Sequence, residues 1–259
     1  GFLNLASDAK YLMEEGDGQL HFDDARLTDY IAALDSNRPV ILFGFTYVVF
    51  EAILEKYAAS GRRFTLPKDS MLIHIGGWKK LEDRKVTKES FNALVEKVFG
   101  IPMQDTVDFY GFTEQMGLTY PDCECGWKHC PSYSEIIIRD QDDLRPLPAG
   151  AEGLIQLLTP IPHSYPGNSV LTDDIGIVNP DGSDKCVAGR YGTRFRMIGR
   201  AKESEPRGCG DIMADKVFQA DVINTDEVVV TPPAWILSSE SHASGKTNTT
   251  GIEELIKSL

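Results

Sequence analysis

The chain has 259 residues, 42% of them hydrophobic and 25% charged, so it can form one large or two modest globular domains without disulfide or metal cross-links. Its formal net charge of −13 argues against nucleic-acid binding, because such binding depends mainly on neutralising phosphates. No apolar run is long enough to predict a membrane span, and we expect no signal peptide. The five cysteines do not suggest a disulfide framework, so a cytoplasmic location is expected.

The first half of the chain alternates short apolar runs with helical patterns. Buried strands are predicted in the stretches "RPVILFGF" (38–45), "SMLIHIGG" (70–77) and "DTVDFYGF" (105–112). Between the first two, the pattern predicts a helix that ends at Gly61. Before the third, it predicts an amphipathic helix (87–100) with an amino-terminal cap and a terminal glycine. This alternation predicts an α/β fold with parallel strands.

The pattern changes after residue 130. The runs at 133–140, 153–160, 169–178 and 194–201 predict short strands that are separated by turn clusters, as in a small antiparallel sheet or barrel. We therefore predict three parts. They are an α/β portion over 1–140, a β-rich subdomain over 141–237, and a polar tail with a short helix over 238–259.

Candidate ligand-binding residues follow two of the predicted strands. In an α/β layer, ligands bind beyond the carboxyl ends of the strands, and glycine there lets the backbone approach a flat or charged ligand. In "FYGFTEQMG" (109–117), an aromatic ring could face a base, a hydroxyl could contact a phosphate, and a carboxylate could bind Mg²⁺. Taken alone, this stretch fits a capped strand-to-helix turn better. The candidate residues at this edge are Gly76, Gly77, Tyr110, Gly111, Thr113 and Glu114.

Two later stretches strengthen the ligand-binding hypothesis. In "VLTDDIG" (170–176), Asp174 is a carboxylate that could accept both hydroxyls of a ribose, although an exposed acidic turn is the alternative. In "FRMIGRA" (195–201), the guanidinium of Arg200 offers a fixed fork of donors to ribose or phosphate oxygens. The alternative for this arginine is a surface position at a hinge.

The order of "GGWK", "YGFTE", "LTDD" and "GRA…RGC" resembles the adenylate-forming enzymes, the superfamily of acyl-CoA synthetases. It is most similar to the bacterial acyl-protein synthetases, the fatty-acid-activating subunits of bioluminescence reductase complexes, with phenylacetate–CoA ligases as nearby relatives. The resemblance implies that ATP and Mg²⁺ activate a carboxylic acid as an acyl-adenylate. The acyl group then passes to a thiol, either a protein cysteine or coenzyme A. It also implies a complex with a reductase or transferase subunit.

The resemblance implies a role for each candidate residue. The first portion would bind the nucleotide: Gly76 and Gly77 would line the adenine pocket, and Tyr110, followed by Gly111, would stack on the base. Thr113 would contact the α-phosphate, Glu114 would hold Mg²⁺, and Asp174 would bind the ribose with help from Arg200. His129 and Trp78 would lie near the acyl pocket, and Lys246, in "SGK", would approach the reacting carboxylate. Ordinary core or surface positions explain His129 and Trp78 equally well, and for Lys246 the favoured alternative is a disordered polar tail.

The sequence departs from this family in two respects. We find no Ser/Thr/Gly-rich phosphate loop before the motifs, so we expect a fragment or a degenerate homologue. A non-catalytic nucleotide- or acyl-binding homologue within a complex is the alternative. No cysteine follows Cys209, so an external acceptor thiol is expected.

A cluster of soft metal ligands lies between the two halves. Cys123, Cys125, His129 and Cys130 are close in sequence, but their spacing is not the paired C-x₂-C of zinc ribbons. Adjacent histidine and cysteine side chains tend to point apart, so we do not expect these four to share one zinc ion.

Overall fold

The structure is a computed structural model that describes residues 6, 8–16, 19–34, 38–115, 117–183 and 185–201. Lys246, Cys209 and the tail predicted over 238–259 lie outside these ranges. The helices are α1 (Asp24–Ala33), α2 (Thr46–Val48), α3 (Lys56–Ser60) and α4 (Lys88–Phe99), and a π-helical segment (Val49–Glu55) joins α2 to α3. The strands are β1 (Met13–Gly16), β2 (Gln19–Phe22), β3 (Ile41–Phe45), β4 (Met71–Ile75), β5 (Thr106–Tyr110), β6 (Tyr120–Pro121), β7 (Lys128–His129), β8 (Glu135–Arg139), β9 (Glu152–Leu158), β10 (Ser169–Val178) and β11 (Arg194–Arg200). Within the described ranges, no helix is long and apolar enough to cross a membrane.

The described strands form two main sheets and a hairpin. The first sheet has the order β3-β4-β5-β6, with β3, β4 and β5 parallel and β6 antiparallel. The second sheet is antiparallel with the order β7-β11-β10-β9-β8, and β1 pairs with β2. The predicted fold class, α/β first and antiparallel β second, is therefore confirmed. Strands β7 and β8 precede residue 140 and yet pair in the second sheet, and the division at residue 140 stays a prediction.

Capping residues and terminal glycines explain where the helices of the first half begin and end. The Thr87 hydroxyl accepts a hydrogen bond from the Ser90 amide, and Gly100 ends α4 in the left-handed conformation with φ +69°. Gly61 ends α3 in the same way, with φ +73°. The buried faces of these helices pack on the first sheet, in a core whose fully buried members include Tyr47, Leu54, Leu72, Val95 and Phe99. The predicted helix boundaries are confirmed, whereas the π-helical middle was not anticipated.

An ion-pair network around the buried Lys128 joins the two sheets. The Lys128 ammonium on β7 donates to the Asp108 carbonyl on β5 at 2.8 Å and lies 3.1 Å from the Asp122 carboxylate. Lys88 also pairs with Asp122, at 2.6 Å. Burial would raise the pKa of Asp122, but the two ammonium groups hold that pKa below its usual range. Because each buried charge has an opposite partner, the network fixes where β7 meets the first sheet.

A buried histidine in β4 predicts how stability depends on pH. The His74 ring lies 2.9 Å from the Thr46 hydroxyl, and burial lowers its pKa below 6.5 although the Asp108 carboxylate opposes the shift. The unfolded chain therefore binds the proton more readily, so this contribution to stability is complete above about pH 6.5 and is lost as pH falls toward the folded-state pKa. Between about pH 7.5 and about pH 5.5, we expect the urea midpoint of the wild type to fall more steeply than that of His74→Gln.

The matched control for this prediction is the exposed His21 on β2. His21→Gln removes an exposed imidazole instead of a buried one, and its urea midpoints are measured over the same pH range. Equal slopes for the wild type and His74→Gln would show that His74 does not titrate with folding.

Candidate functional site

Two glycine turns lie side by side at the carboxyl edge of the first sheet. Strands β4 and β5 are parallel neighbours, and Ile75 pairs with Phe109, so the turns that follow them share one edge. Gly76 and Gly77 have φ values of +93° and +65°, a conformation that favours glycine. At Gly111, a Cβ atom would lie 3.2 Å from the Leu118 carbonyl oxygen, because the chain folds back closely after β5. The edge therefore presents bare backbone where a ligand of an α/β sheet would bind.

A carboxylate of the second sheet reaches this edge. The Tyr110 hydroxyl, at the end of β5, donates a 2.8 Å hydrogen bond to the Asp174 carboxylate on β10, although 64 positions separate the two residues. Burial and the negative charge of Asp174 raise the pKa of Tyr110 well above its usual value. The phenol therefore remains a protonated donor and holds the carboxylate in place.

A guanidinium lies on the other side of the carboxylate. Arg200 pairs with Asp174 across β10 and β11, and its Nε lies 3.5 Å from the Asp174 Oδ1 atom. Its terminal nitrogen lies 3.6 Å from Asp173, whose side chain is 62% exposed, against 19% for Asp174. Asp174 is therefore the carboxylate held inside the site, and Asp173 lies at its rim.

An irregular stretch of β10 aims Asp174 at the sheet edge. Leu171 and Ile175 pair with Gln156 and Leu154 of β9, so more residues of β10 than of β9 lie between these two pairs. The Thr172 hydroxyl donates to the Ile155 carbonyl at 2.9 Å and accepts from the Asp174 amide at 3.2 Å. Such a bulge re-aims side chains at the edge of a sheet. The sequence analysis identified the acidic residues here but did not predict this bulge.

The turn that carries Glu114 is anchored by a glutamine. Thr113–Gln115 forms one 3₁₀ turn, in which the Glu114 side chain is exposed and Gln115 is 1% exposed. The Gln115 amide donates to the Leu157 carbonyl at 3.2 Å and to the Gly167 carbonyl at 2.9 Å. A Cβ at Gly167 would lie 2.6 Å from the Glu114 carbonyl, so only glycine fits there. Sequence reasoning missed both residues, because neither the burial of Gln115 nor the close approach at Gly167 is visible in the sequence.

The two candidates for the acyl pocket lie elsewhere. Trp78 packs edge-on against Phe50, with ring centroids 4.8 Å apart, and belongs to the border of the first core. His129 is 4% exposed and lies among cysteines, with its Nε2 3.4 Å from the Cys125 sulfur. The structure thus brings together Gly76, Gly77, Tyr110, Gly111, Asp174 and Arg200, with the turn of Thr113 and Glu114 directly after Gly111.

The chemistry of the site suits a polyol next to a flat ring. The two oxygens of a carboxylate offer about four lone-pair positions, so a carboxylate can accept from a tyrosine and from ribose hydroxyls at the same time. Arg200 supplies positive charge beside it, and the glycine turns allow close backbone approach. These are the features expected of a nucleotide site at the carboxyl edge of a parallel sheet.

The chain belongs to the acyl-protein synthetase family. The family model described as "Acyl-protein synthetase, LuxE" matches residues 1–218, which confirms the resemblance inferred from the motifs. The chain is also 27% identical, over 187 residues, to the long-chain-fatty-acid–luciferin-component ligase of Vibrio harveyi. That match covers 72% of this chain and 47% of the relative, so the chain spans about half the length of this curated protein.

Solved structures of acyl-CoA ligases are similar over about 70% of the chain. A long-chain-fatty-acid–CoA ligase from Archaeoglobus fulgidus is 14% identical with a TM-score of 0.47, over 70% of this chain and 37% of that one. An open conformation of 2-hydroxyisobutyryl-CoA ligase with 2-HIB-AMP and CoA is 16% identical with a TM-score of 0.49, over 69% of this chain and 37% of that one.

Proposed function

We propose that the intact protein uses ATP to activate a carboxylic acid as an acyl-adenylate and then transfers the acyl group to a thiol. The observation that carries this proposal is the convergence of Tyr110, Asp174 and Arg200 at the glycine-lined sheet edge. Membership of the acyl-protein synthetase family supports the reaction type.

The nucleotide would lie across the edge of the first sheet. Gly76 and Gly77 line the adenine pocket, and the base lies beside the ring of Tyr110, while the hydroxyl of that ring holds Asp174. The Asp174 carboxylate accepts the ribose hydroxyls, and Arg200 donates to ribose or phosphate oxygens. The rigid Tyr110–Asp174 contact supports this assignment, because a positioned acceptor loses little freedom when the ribose binds.

In the first step, a carboxylate oxygen of the acid attacks the α-phosphorus and the bond to the bridging oxygen breaks, which releases pyrophosphate. Charge gathers around the α-phosphorus, and positioned donors stabilise it. Thr113 is proposed to contact the α-phosphate. Glu114 fits Mg²⁺, because an exposed carboxylate beside the phosphates is the usual kind of protein ligand for this ion. Mg²⁺ would supply charge neutralisation of the phosphates.

In the second step, a thiolate attacks the acyl carbonyl carbon, the bond to AMP breaks, and AMP leaves. The name of the Vibrio harveyi relative specifies a long-chain fatty acid and a luciferin component as the groups that it joins. We therefore propose a fatty acid as substrate, with an aryl acid as the other candidate class. The thiol would be a cysteine of a partner protein, such as a reductase or transferase subunit, or coenzyme A. We propose that this reaction takes place in the cytoplasm.

Trapping the activated acid tests the proposal. The intact protein is incubated with ATP, Mg²⁺, hydroxylamine and single acids that range from long-chain fatty to aryl, and the hydroxamates are measured by mass spectrometry. We expect a hydroxamate from one chain-length class that depends on both ATP and Mg²⁺. Binding of an acyl-sulfamoyl adenosine without any hydroxamate would instead favour a non-catalytic nucleotide-binding homologue, and neither binding nor product would contradict the proposal.

A further inference from the structure

Four metal-ligating side chains from two separate segments meet outside the proposed nucleotide site. They are Cys123, Cys125 and His129, around the β6–β7 turn, and Cys186, in the loop between β10 and β11. Their ligand atoms all lie within 4.8 Å of one another. We infer that these residues form a structural zinc site of the Cys₃His type. This inference is independent of the proposed function.

The distances match those between the ligands of a tetrahedral ion. Zn–S bonds of about 2.3 Å and Zn–N bonds of about 2.0 Å place two sulfurs about 3.8 Å apart and a sulfur about 3.5 Å from a nitrogen. The sulfurs of Cys123 and Cys186 are 3.9 Å apart, and the Cys125 sulfur lies 3.4 Å from the His129 Nε2 atom. These two pairs are thus already spaced for one ion, and all four ligand atoms lie within 4.8 Å of one another.

Two similar turns present the cysteines. The Gly126 amide donates to the Cys123 carbonyl at 2.8 Å, and the Gly189 amide donates to the Cys186 carbonyl at 2.9 Å. Both glycines have φ +77°, which only glycine adopts without strain. The same glycine turn thus occurs twice, 63 positions apart, and both turns direct a cysteine sulfur toward the same point.

The histidine is held in the tautomer that a metal requires. The His129 Nδ1 atom lies 3.1 Å from the Tyr191 carbonyl oxygen, which can only accept, so Nδ1 carries the proton. The Nε2 lone pair is therefore free for an ion and faces the Cys125 sulfur. A backbone carbonyl on the distal nitrogen is the usual outer partner of a metal-bound histidine.

Burial and ligand type indicate a structural zinc ion. Cys123, Cys186 and His129 are 5%, 7% and 4% exposed, and Cys125 is half-buried. Four protein ligands close a tetrahedral site and leave no open position for a substrate, and three soft sulfurs favour zinc over Mg²⁺ or Ca²⁺. The ion would join the β6–β7 turn to the loop before β11, and so would fix the pairing of His129 with Arg194.

The neighbouring Cys130 is a matched control within the same segment. Its side chain is 4% exposed and packs in the second core with Phe195 and Ile136. Successive residues of an extended chain point to opposite faces, so His129 reaches the cluster and Cys130 does not. The expectation that His129 and Cys130 would not share an ion agrees with this arrangement, in which Cys186 supplies the fourth ligand.

Metal analysis of the full chain tests the site. The protein is purified under reducing conditions without chelators, and zinc is measured by mass spectrometry. Zinc is then exchanged for Co²⁺, and the visible spectrum is recorded. We expect one zinc per chain and the absorption bands of tetrahedral, thiolate-bound cobalt. A folded wild type with neither zinc nor these bands would overturn the inference, as would a Cys123–Cys186 disulfide in the reduced preparation.

Two variants distinguish zinc binding at this site from nonspecific zinc binding to thiols. Cys186→Ser is expected to weaken zinc binding by about tenfold or more, whereas Cys130→Ala keeps one zinc at wild-type affinity. An equal loss of zinc binding in both variants would overturn the inference. If Cys186→Ser does not fold, the cobalt spectrum of the wild type gives the number of cysteine ligands, because three thiolates give a stronger charge-transfer band than one or two.

Discussion

Replacing Glu114 by glutamine is expected to reduce acid-dependent ATP–pyrophosphate exchange in the intact protein by about two to three orders of magnitude. The substitution keeps the size of the side chain but removes the charge that binds Mg²⁺ beside the phosphates. The buried amide of Gln115 anchors the turn to the second sheet. The variant should therefore keep the wild-type unfolding temperature, and the loss should appear in the exchange rate alone. Radiolabelled pyrophosphate measures that rate.

The control for this prediction is Glu152→Gln, at an exposed position on β9. It removes the same charge, so its exchange rate should equal that of the wild type. An unchanged rate in Glu114→Gln would remove Glu114 from the metal site. An equal fall in both variants would mean that net charge, and not a specific ligand, controls the reaction.

Replacing Asp174 by alanine is expected to weaken binding of an acyl-sulfamoyl adenosine by about ten- to one-hundredfold. Hydrogen bonds to a charged group contribute about 1.5–3 kcal/mol, and about 1.4 kcal/mol corresponds to tenfold in affinity. The loss includes the freed Tyr110 hydroxyl, which no longer has its 2.8 Å partner. Isothermal titration calorimetry measures the affinity directly.

Asp173→Ala is the matched control, because Asp173 precedes Asp174 and also pairs with Arg200, but its side chain is 62% exposed. An exposed ion pair contributes little, so this variant should bind the analogue within about twofold of the wild type. If Asp174→Ala binds as tightly as the wild type, Asp174 does not hold the ribose. If Asp173→Ala loses more affinity for the analogue than Asp174→Ala does, the ribose lies at the rim of the site instead.

The helices and strands of the first half could be predicted because their signals are local. The threonine cap and terminal glycine of α4 lie within the segment that they bound, and the apolar runs of β3, β4 and β5 are continuous in sequence. The π-helical segment Val49–Glu55 could not be predicted in this way. Its hydrogen bonds differ from those of an α-helix by one residue, and the side-chain pattern hardly changes.

The candidate site could be predicted only in part. Glycines at strand ends and acidic residues on a later strand indicated one edge, but the contact between Tyr110 and Asp174 depends on how the second sheet docks. The bulge at Thr172 and the anchor at Gln115 have no sequence signature, because each is defined by carbonyls of distant residues. Likewise, Cys186 joins the other cysteines only through the fold of the β10–β11 loop.

A crystal structure of the intact protein with a non-hydrolysable acyl-adenylate analogue tests the central claim most directly. We predict that both ribose hydroxyls lie within hydrogen-bond distance of the Asp174 carboxylate, with the base beside Tyr110 and the sulfamoyl group at the Thr113–Glu114 turn. An analogue bound on another surface, with the Asp174 carboxylate still bonded only to protein groups, would contradict the account.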